Sequence, residues 1–242
     1  MSVAPEGWAI LRQAVIAATD HDATSRGLRG SLALAPGFQD PLLEEMGLRD
    51  ETFRIGKVAH IELVSPLNAE SAINRWLGKV GGEAGYCLSI QVPDVQRLVD
   101  NAAAADVRVL ADVNHFGRRI VQLHPKDMGL LVELDEIPEP DQWFWDDIES
   151  EVPAAPYVDD VLGVEVSSPD PRAQARRWAQ VFQGDRAEAE PTEVHLGSRV
   201  VRFVEGAVSA MTAIDLAATA DLPADAADSA RVGGVTLRLH RP

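Results

Sequence analysis

Glu133 interrupts an apolar run. In "HPKDMGLLVELDE", residues 124–136, Leu130, Leu131, Val132 and Leu134 read as a buried strand, and Glu133 sits inside it. A carboxylate so placed must be paired, protonated, metal-bound or pointed into a cavity. Three other strand-like runs carry comparable groups. By the two-residue period of a strand, Gln13 shares a face with Val15 and Ala17, and Glu62 with His60 and Val64. Cys87 shares a face with Ser89 and Gln91, while Tyr86, Leu88, Ile90 and Val92 take the other. Glu133 goes with Leu131 and Asp135, opposite Leu130, Val132 and Leu134. An apolar face backed by a polar one suits a sheet with helices on one side and a cavity on the other. It suits equally a sheet face in contact with water. Gln13 would then be an exposed amide and Cys87 a small core hydrophobe. Glu62 would pair with His60 or with Arg12, Arg118 or Arg119, and Glu133 likewise. His124 in "LHPK" reads as a turn residue. His21, His195 and His240 fall at element ends without a visible partner, and no nucleotide-loop or Gly-x-Ser-x-Gly spacing occurs.

The elements that must carry these groups form a repeating order. "WAILRQAVIAATD" is a strand, a helix follows with Asp20 or Asp22 as cap, then a Pro/Gly-containing loop at 36–50 with room for one short strand, and "ETFRIGK" and "AHIELVSPL" are strands. After a helix ending at Gly81 and Gly82, a second cycle runs from "GYCLSIQV" through a helix capped by Asp to "VRVLAD", "RRIVQLH" and "LLVELDE". Residues 135–160 contain four prolines and ten acids and read as a linker. Trp143, Phe144 and Trp145 within it are expected to dock on a domain surface, with a ligand-facing lid as the alternative. A third cycle starts at "VLGVEVSSPD", and the remaining chain reads as one complete unit plus a shortened one. The expected fold class is α+β. The expected domains are residues 1–137, with two βαβββ modules, a linker at 138–154, and a shortened second copy at 155–242.

The residues "IELVSPLNAESAINRWLGKVGGEAGYCLSIQVPDV" and "GRRIVQLHPKDMGLLVEL" resemble the methylmalonyl-CoA epimerase family of the vicinal oxygen chelate superfamily, the glyoxalases and extradiol dioxygenases among them. The stronger match covers about residues 58–137. The resemblance implies strands curled into a cup that holds a divalent metal through one residue from each of four strands, usually His, then Gln, Glu or His, then His, then Glu. Carried across, these positions fall on Gln13, Glu62, Cys87 and Glu133, so both histidines are missing. His60, Ser89 and Gln91 are expected to line the same cavity. A neutral amide and a thiol are poor ligands for Mg, Mn or Co, so a divalent metal is expected to bind weakly or not at all.

Two functions follow from that resemblance. One is a lyase, isomerase or epimerase acting on a small carboxylate or acyl thioester, with Glu62 and Glu133 catalytic. The other is a metal-free protein that binds or sequesters a small molecule in a degenerate site. The expected partner is thus a small-molecule ligand, with a homodimer as the expected assembly. The 38 acids against 22 bases, a net charge of −16, argue against nucleic acid and anionic membrane. The single cysteine excludes an intrachain disulfide, and the lack of a basic start with an apolar core makes the cytoplasm the expected location.

Overall fold

The computed structural model describes residues 8–115, 117–143, 151–183 and 192–242. Phe144 and Trp145 lie outside these residues.

The first module is β1 (Ile10–Ala17), α1 (His21–Leu32), α2 (Pro41–Glu45), β2 (Leu48–Ile55) and β3 (Ala59–Pro66). Helix α1 starts where the Asp20 carboxylate accepts the Ala23 N–H, and it buries Thr24, Leu28 and Leu32, spaced to share one face. After α3 (Ile73–Val80), the second module runs β4 (Ala84–Val92), α4 (Val95–Ala104), β5 (Val109–His115), β6 (Arg118–Leu123), α5 (Pro125–Met128) and β7 (Leu131–Glu136). Asp94 caps α4 by accepting from the Gln96 and Arg97 N–H groups.

These strands join in the order β2-β3-β1-β4-β7-β6-β5. The pairings of the two modules mirror each other: β1 runs parallel to β3, β4 parallel to β7, and β1 antiparallel to β4. Register makes the symmetry explicit. Ala14 faces Leu88 across the central pair, Val15 lies beside Glu62, and Ser89 lies beside Glu133. A pseudo-two-fold through the Ala14–Leu88 pair therefore relates Gln13 to Cys87 and Glu62 to Glu133. The extra short strand expected in the first module is reduced to one bridge, Phe38 to Thr52, and α2 occupies part of the expected loop.

The second half repeats the plan in reduced form. It consists of β8 (Val158–Ser168), α6 (Pro171–Gln183), β9 (Glu193–Leu196), β10 (Arg199–Glu205), β11 (Ala210–Ala218), β12 (Ser229–Val232) and β13 (Val235–His240). Here β8 is parallel to β10, β11 parallel to β13, and β8 antiparallel to β11. Among the described residues each of its modules has one strand fewer than the β4–β7 module, and no helix links β11 to β12. Among the described residues both units are shortened, where one complete unit was expected. The fold class is α+β, paired βαβββ modules with a reduced second copy.

One core serves both halves. Leu88, Ile90, Val132 and Leu134 pack with Leu28, Leu98 and Trp178 on the helix side of the sheet. The Trp178 indole donates to the Met128 carbonyl at 2.8 Å, tying α6 to α5. The sheets join where Met211 pairs with Gly85, and a Cβ at Gly85 would stand 2.3 Å from the Met211 Cβ, so this crossing requires glycine.

Candidate functional site

The opposite side of the first sheet holds a cavity of about 490 Å³. Residues from all seven strands β1 to β7 line it, so the sheet curls into a cup. Gln13, Glu62, Cys87, Ser89 and Glu133 are brought together there, one or two from each of four strands, as their alternation in sequence requires. Leu42 and Leu43 of α2 and Ile73 of α3 wall the cup.

Two β-bulges shape its ends. Leu11 pairs with Ile90 and Gln13 with Ser89, which leaves Arg12 as the extra residue on β1. Val15 pairs with Cys87 and Ile16 with Gly85, which leaves Tyr86 extra on β4. Arg12 and Tyr86 are equivalent under the pseudo-two-fold. Tyr86 consequently lines the cup, against the expectation from strict alternation that it would face away, and its ring meets Trp76 edge-on at 5.1 Å. Arg12 closes the other end. Its guanidinium donates to Gln91 Oε1 at 2.6 Å and to the carbonyls of Val58 and Pro140, and stands 5.4 Å from the Trp143 ring centre.

This closure corrects two expectations. Gln91 and His60 share strand faces with the site residues, yet neither lines the cavity. Gln91 is fully buried, and its amide donates to the Ile137 and Glu139 carbonyls beneath the chain that crosses this end. His60 is buried beside Arg12, and burial followed by the Arg12 charge lowers its pKa to about 4. Trp143 lines the cup as well as meeting Arg12.

The expected arginine partners of the two glutamates are committed elsewhere. Arg118 pairs with Glu139 at 3.1 Å and Arg119 with Asp112 at 2.7 Å. Glu133 instead accepts from Gln122 Nε2 at 2.8 Å and Ser89 Oγ at 3.2 Å. Burial, then the charges of Asp50 and Glu133, push the Glu62 pKa well up.

Sequence reading missed two further acids of the cup. Asp50 has its pKa raised by burial to about 6, although the Asp40 N–H donates to both its oxygens, at 3.0 and 3.1 Å. Asp135 is 1% exposed and neither oxygen has a hydrogen-bond partner among the described residues. Burial, then the Glu133 charge, push its pKa well up. The alternation that placed Glu133 also placed Asp135 on this face, so the signal was present. For Asp50 it was a carboxylate at the mouth of the β-rich run 51–57.

The inferred ligand set fits a hard divalent ion poorly. Burial, then Glu133 and Glu62, hold the Cys87 thiol well above its ordinary pKa, so the thiolate a metal needs is disfavoured. Gln13 offers only a neutral amide oxygen. No group of three or more His, Cys, Asp or Glu among the described residues is arranged to hold a metal ion.

The corresponding face of the second half is filled with ion pairs. Glu165 meets Arg238 at 2.7 Å, while Asp215 meets His240 at 2.8 Å and Arg202 at 3.5 Å. Its acids are compensated, unlike those of the first cup. No helix among the described residues is long and apolar enough to cross a membrane.

The paired βαβββ modules resemble those of the glyoxalase-like, vicinal oxygen chelate proteins. Within that class the chain resembles methylmalonyl-CoA epimerase. It is 34% identical over 80 residues to the mitochondrial methylmalonyl-CoA epimerase of Dictyostelium discoideum. The match takes in 31% of this chain and 48% of that protein, so the chain spans about half the length of the curated relative. Among solved structures, the Mycobacterium tuberculosis methylmalonyl-CoA epimerase is 25% identical, with a TM-score of 0.47 over 55% of this chain and 91% of that one. A variant of the Streptomyces coelicolor enzyme in complex with 2-nitronate-propionyl-CoA is 28% identical, with a TM-score of 0.46 over 53% and 96%. No protein-family model matches the chain.

Proposed function

We propose that the first cup is a glyoxalase-type small-molecule site working without a divalent metal of its own. It belongs to a domain of two βαβββ modules at residues 1–137, followed by a linker at 138–154 and a shortened copy at 155–242. The observation that carries this reading is the donor set. Cys87 is buried with its pKa pushed up, and Glu133 is held by Gln122 and Ser89, inside a preformed cavity of ligand size. Elemental analysis of dialysed protein purified without a His tag tests it. Stoichiometric Mn, Co or Zn, lost in both Glu62→Gln and Glu133→Gln, would overturn it.

A second reading is proton transfer at a carbon beside a carbonyl, as in an epimerase acting on an acyl thioester. The pseudo-two-fold relation between Glu62 and Glu133 favours it, because inversion needs one group on each side of the carbon. Glu133 as carboxylate would take the proton, and the protonated Glu62 would return one to the opposite face. Burial supports the protonated state of Glu62. Incubation of methylmalonyl-CoA with the protein in D₂O and EDTA, followed by NMR, tests this. Deuterium at the α-carbon, lost in Glu133→Gln, supports the reading, and no exchange above the protein-free rate rejects it.

A further inference from the structure

We propose that the ligand of this cup carries an ammonium group, seated against Asp135 and the adjacent Glu133, on an apolar body that follows the walls. The inference rests on the small-molecule reading of the cup and names its ligand class.

Asp135 is the first observation. It is 1% exposed, lines the cavity, and has two carboxylate oxygens with no donor among the described residues. Buried polar groups of folded proteins are nearly always bonded, so a side chain left unbonded at a cavity wall waits for a ligand donor. Its charged neighbour is Glu133, another acid. The charges bearing on Glu62 are those of Asp50, Glu133 and Asp40, all of one sign.

The second half supplies an internal comparison. On its corresponding face Glu165 and Asp215 each meet a guanidinium. In the first half the nearby arginines turn away from the cup, Arg12 to Gln91 and backbone carbonyls, Arg118 to Glu139 and Arg119 to Asp112. Glu133 accepts there from the neutral Gln122 and Ser89, and Asp135 has no donor among the described residues. An ammonium offers three donors and a positive charge, which suits two orphaned oxygens and an adjacent carboxylate.

The walls specify the remainder of the ligand. Met46, Leu110 and Val113 line the cavity and are 68%, 52% and 51% exposed, so the mouth is rimmed with apolar groups that meet water. Tyr86 and Trp143 add aromatic surface suited to a cation or an aryl ring. The volume of about 490 Å³ accommodates an arylalkylamine.

Isothermal titration with three probes of similar shape tests the proposal: 2-phenylethylamine, 2-phenylethanol and 3-phenylpropanoate, at pH 7.5. The amine is expected to bind one to one, about thirtyfold or more tighter than the alcohol, with no detectable binding of the carboxylate. Asp135→Asn, nearly isosteric, should weaken the amine by a similar factor and leave the alcohol unchanged. Glu133→Gln should weaken the amine too, which keeps the test open if one variant folds poorly. Asp228→Asn, far out on the second half, should change nothing. Equal or tighter binding of the alcohol or the carboxylate would overturn the charge preference while leaving the small-molecule cup standing. Binding of none of the three would overturn the proposal, and stoichiometric metal in the same preparation would overturn the cup reading with it. Amine affinity unchanged in both Asp135→Asn and Glu133→Gln would also refute it.

Discussion

Replacing Asp135 with valine should stabilise the protein. The pseudo-two-fold places Asp135 where the first module has Val64, so the strand accepts valine at this register. The carboxyl group is 1% exposed and has no hydrogen-bond partner among the described residues. Leaving a buried polar group unbonded costs about 1–3 kcal/mol, and Asp135→Val removes that cost while keeping a side chain that fills the space. In a chain of this size each kcal/mol moves the melting temperature by about 2–4 °C, so a rise of roughly 2–12 °C is expected. The pH dependence has a definite sign. Burial raises the folded pKa above the unfolded value near 3.8, so the wild-type protein loses stability as pH rises through the folded pKa. The advantage of the variant should therefore be larger at pH 7.5 than at pH 3.5. Urea unfolding followed by circular dichroism at both pH values measures it. A variant less stable than wild type at pH 7.5 would show that Asp135 has a stabilising partner, and would refute the orphan-carboxylate argument.

Asp50, with its pKa raised from 3.8 to about 6, should cost stability as pH rises from about 4 to 6, and Asp50→Asn should remove that loss. The shift corresponds to at most about 3 kcal/mol, readable from melts at pH 4 and 7.5. Native Cys87 should resist a thiol reagent such as DTNB at pH 8, because it is buried and its pKa is pushed up, and should react at once in guanidinium chloride. Prompt reaction of the native thiol would show an opening cup. Trp178→Ala should cost about 3–5 kcal/mol, because it empties the core beneath Phe182 and Phe203 and removes the bond to the Met128 carbonyl. Chemical denaturation would show that loss, and a change under 1 kcal/mol would mean that α6 is not part of the shared core.

Local chemistry wrote a good part of this protein directly into its sequence. The alternation of Leu130, Val132 and Leu134 with Leu131, Glu133 and Asp135 fixed which groups face the helices, because a strand repeats every two residues. Asp20 and Asp94 announced their helices because a free helix N-terminus needs an acceptor. The repeated order of strands and helices carried the paired-module plan. The environment of each group was decided by contacts between residues far apart in the chain. Period alone put His60 and Gln91 on the cavity face, but the bulge at Arg12 and the chain at residues 137–143 closed them off. A second bulge turned Tyr86 into the cup. Asp135 and Asp215 are both acids on strands, yet one is left without a donor and the other meets Arg202 and His240. Sequence determined the faces because facing is a property of one strand. Tertiary structure decided depth, partner and charge state, because those depend on the register between strands and on what the rest of the chain lays over them.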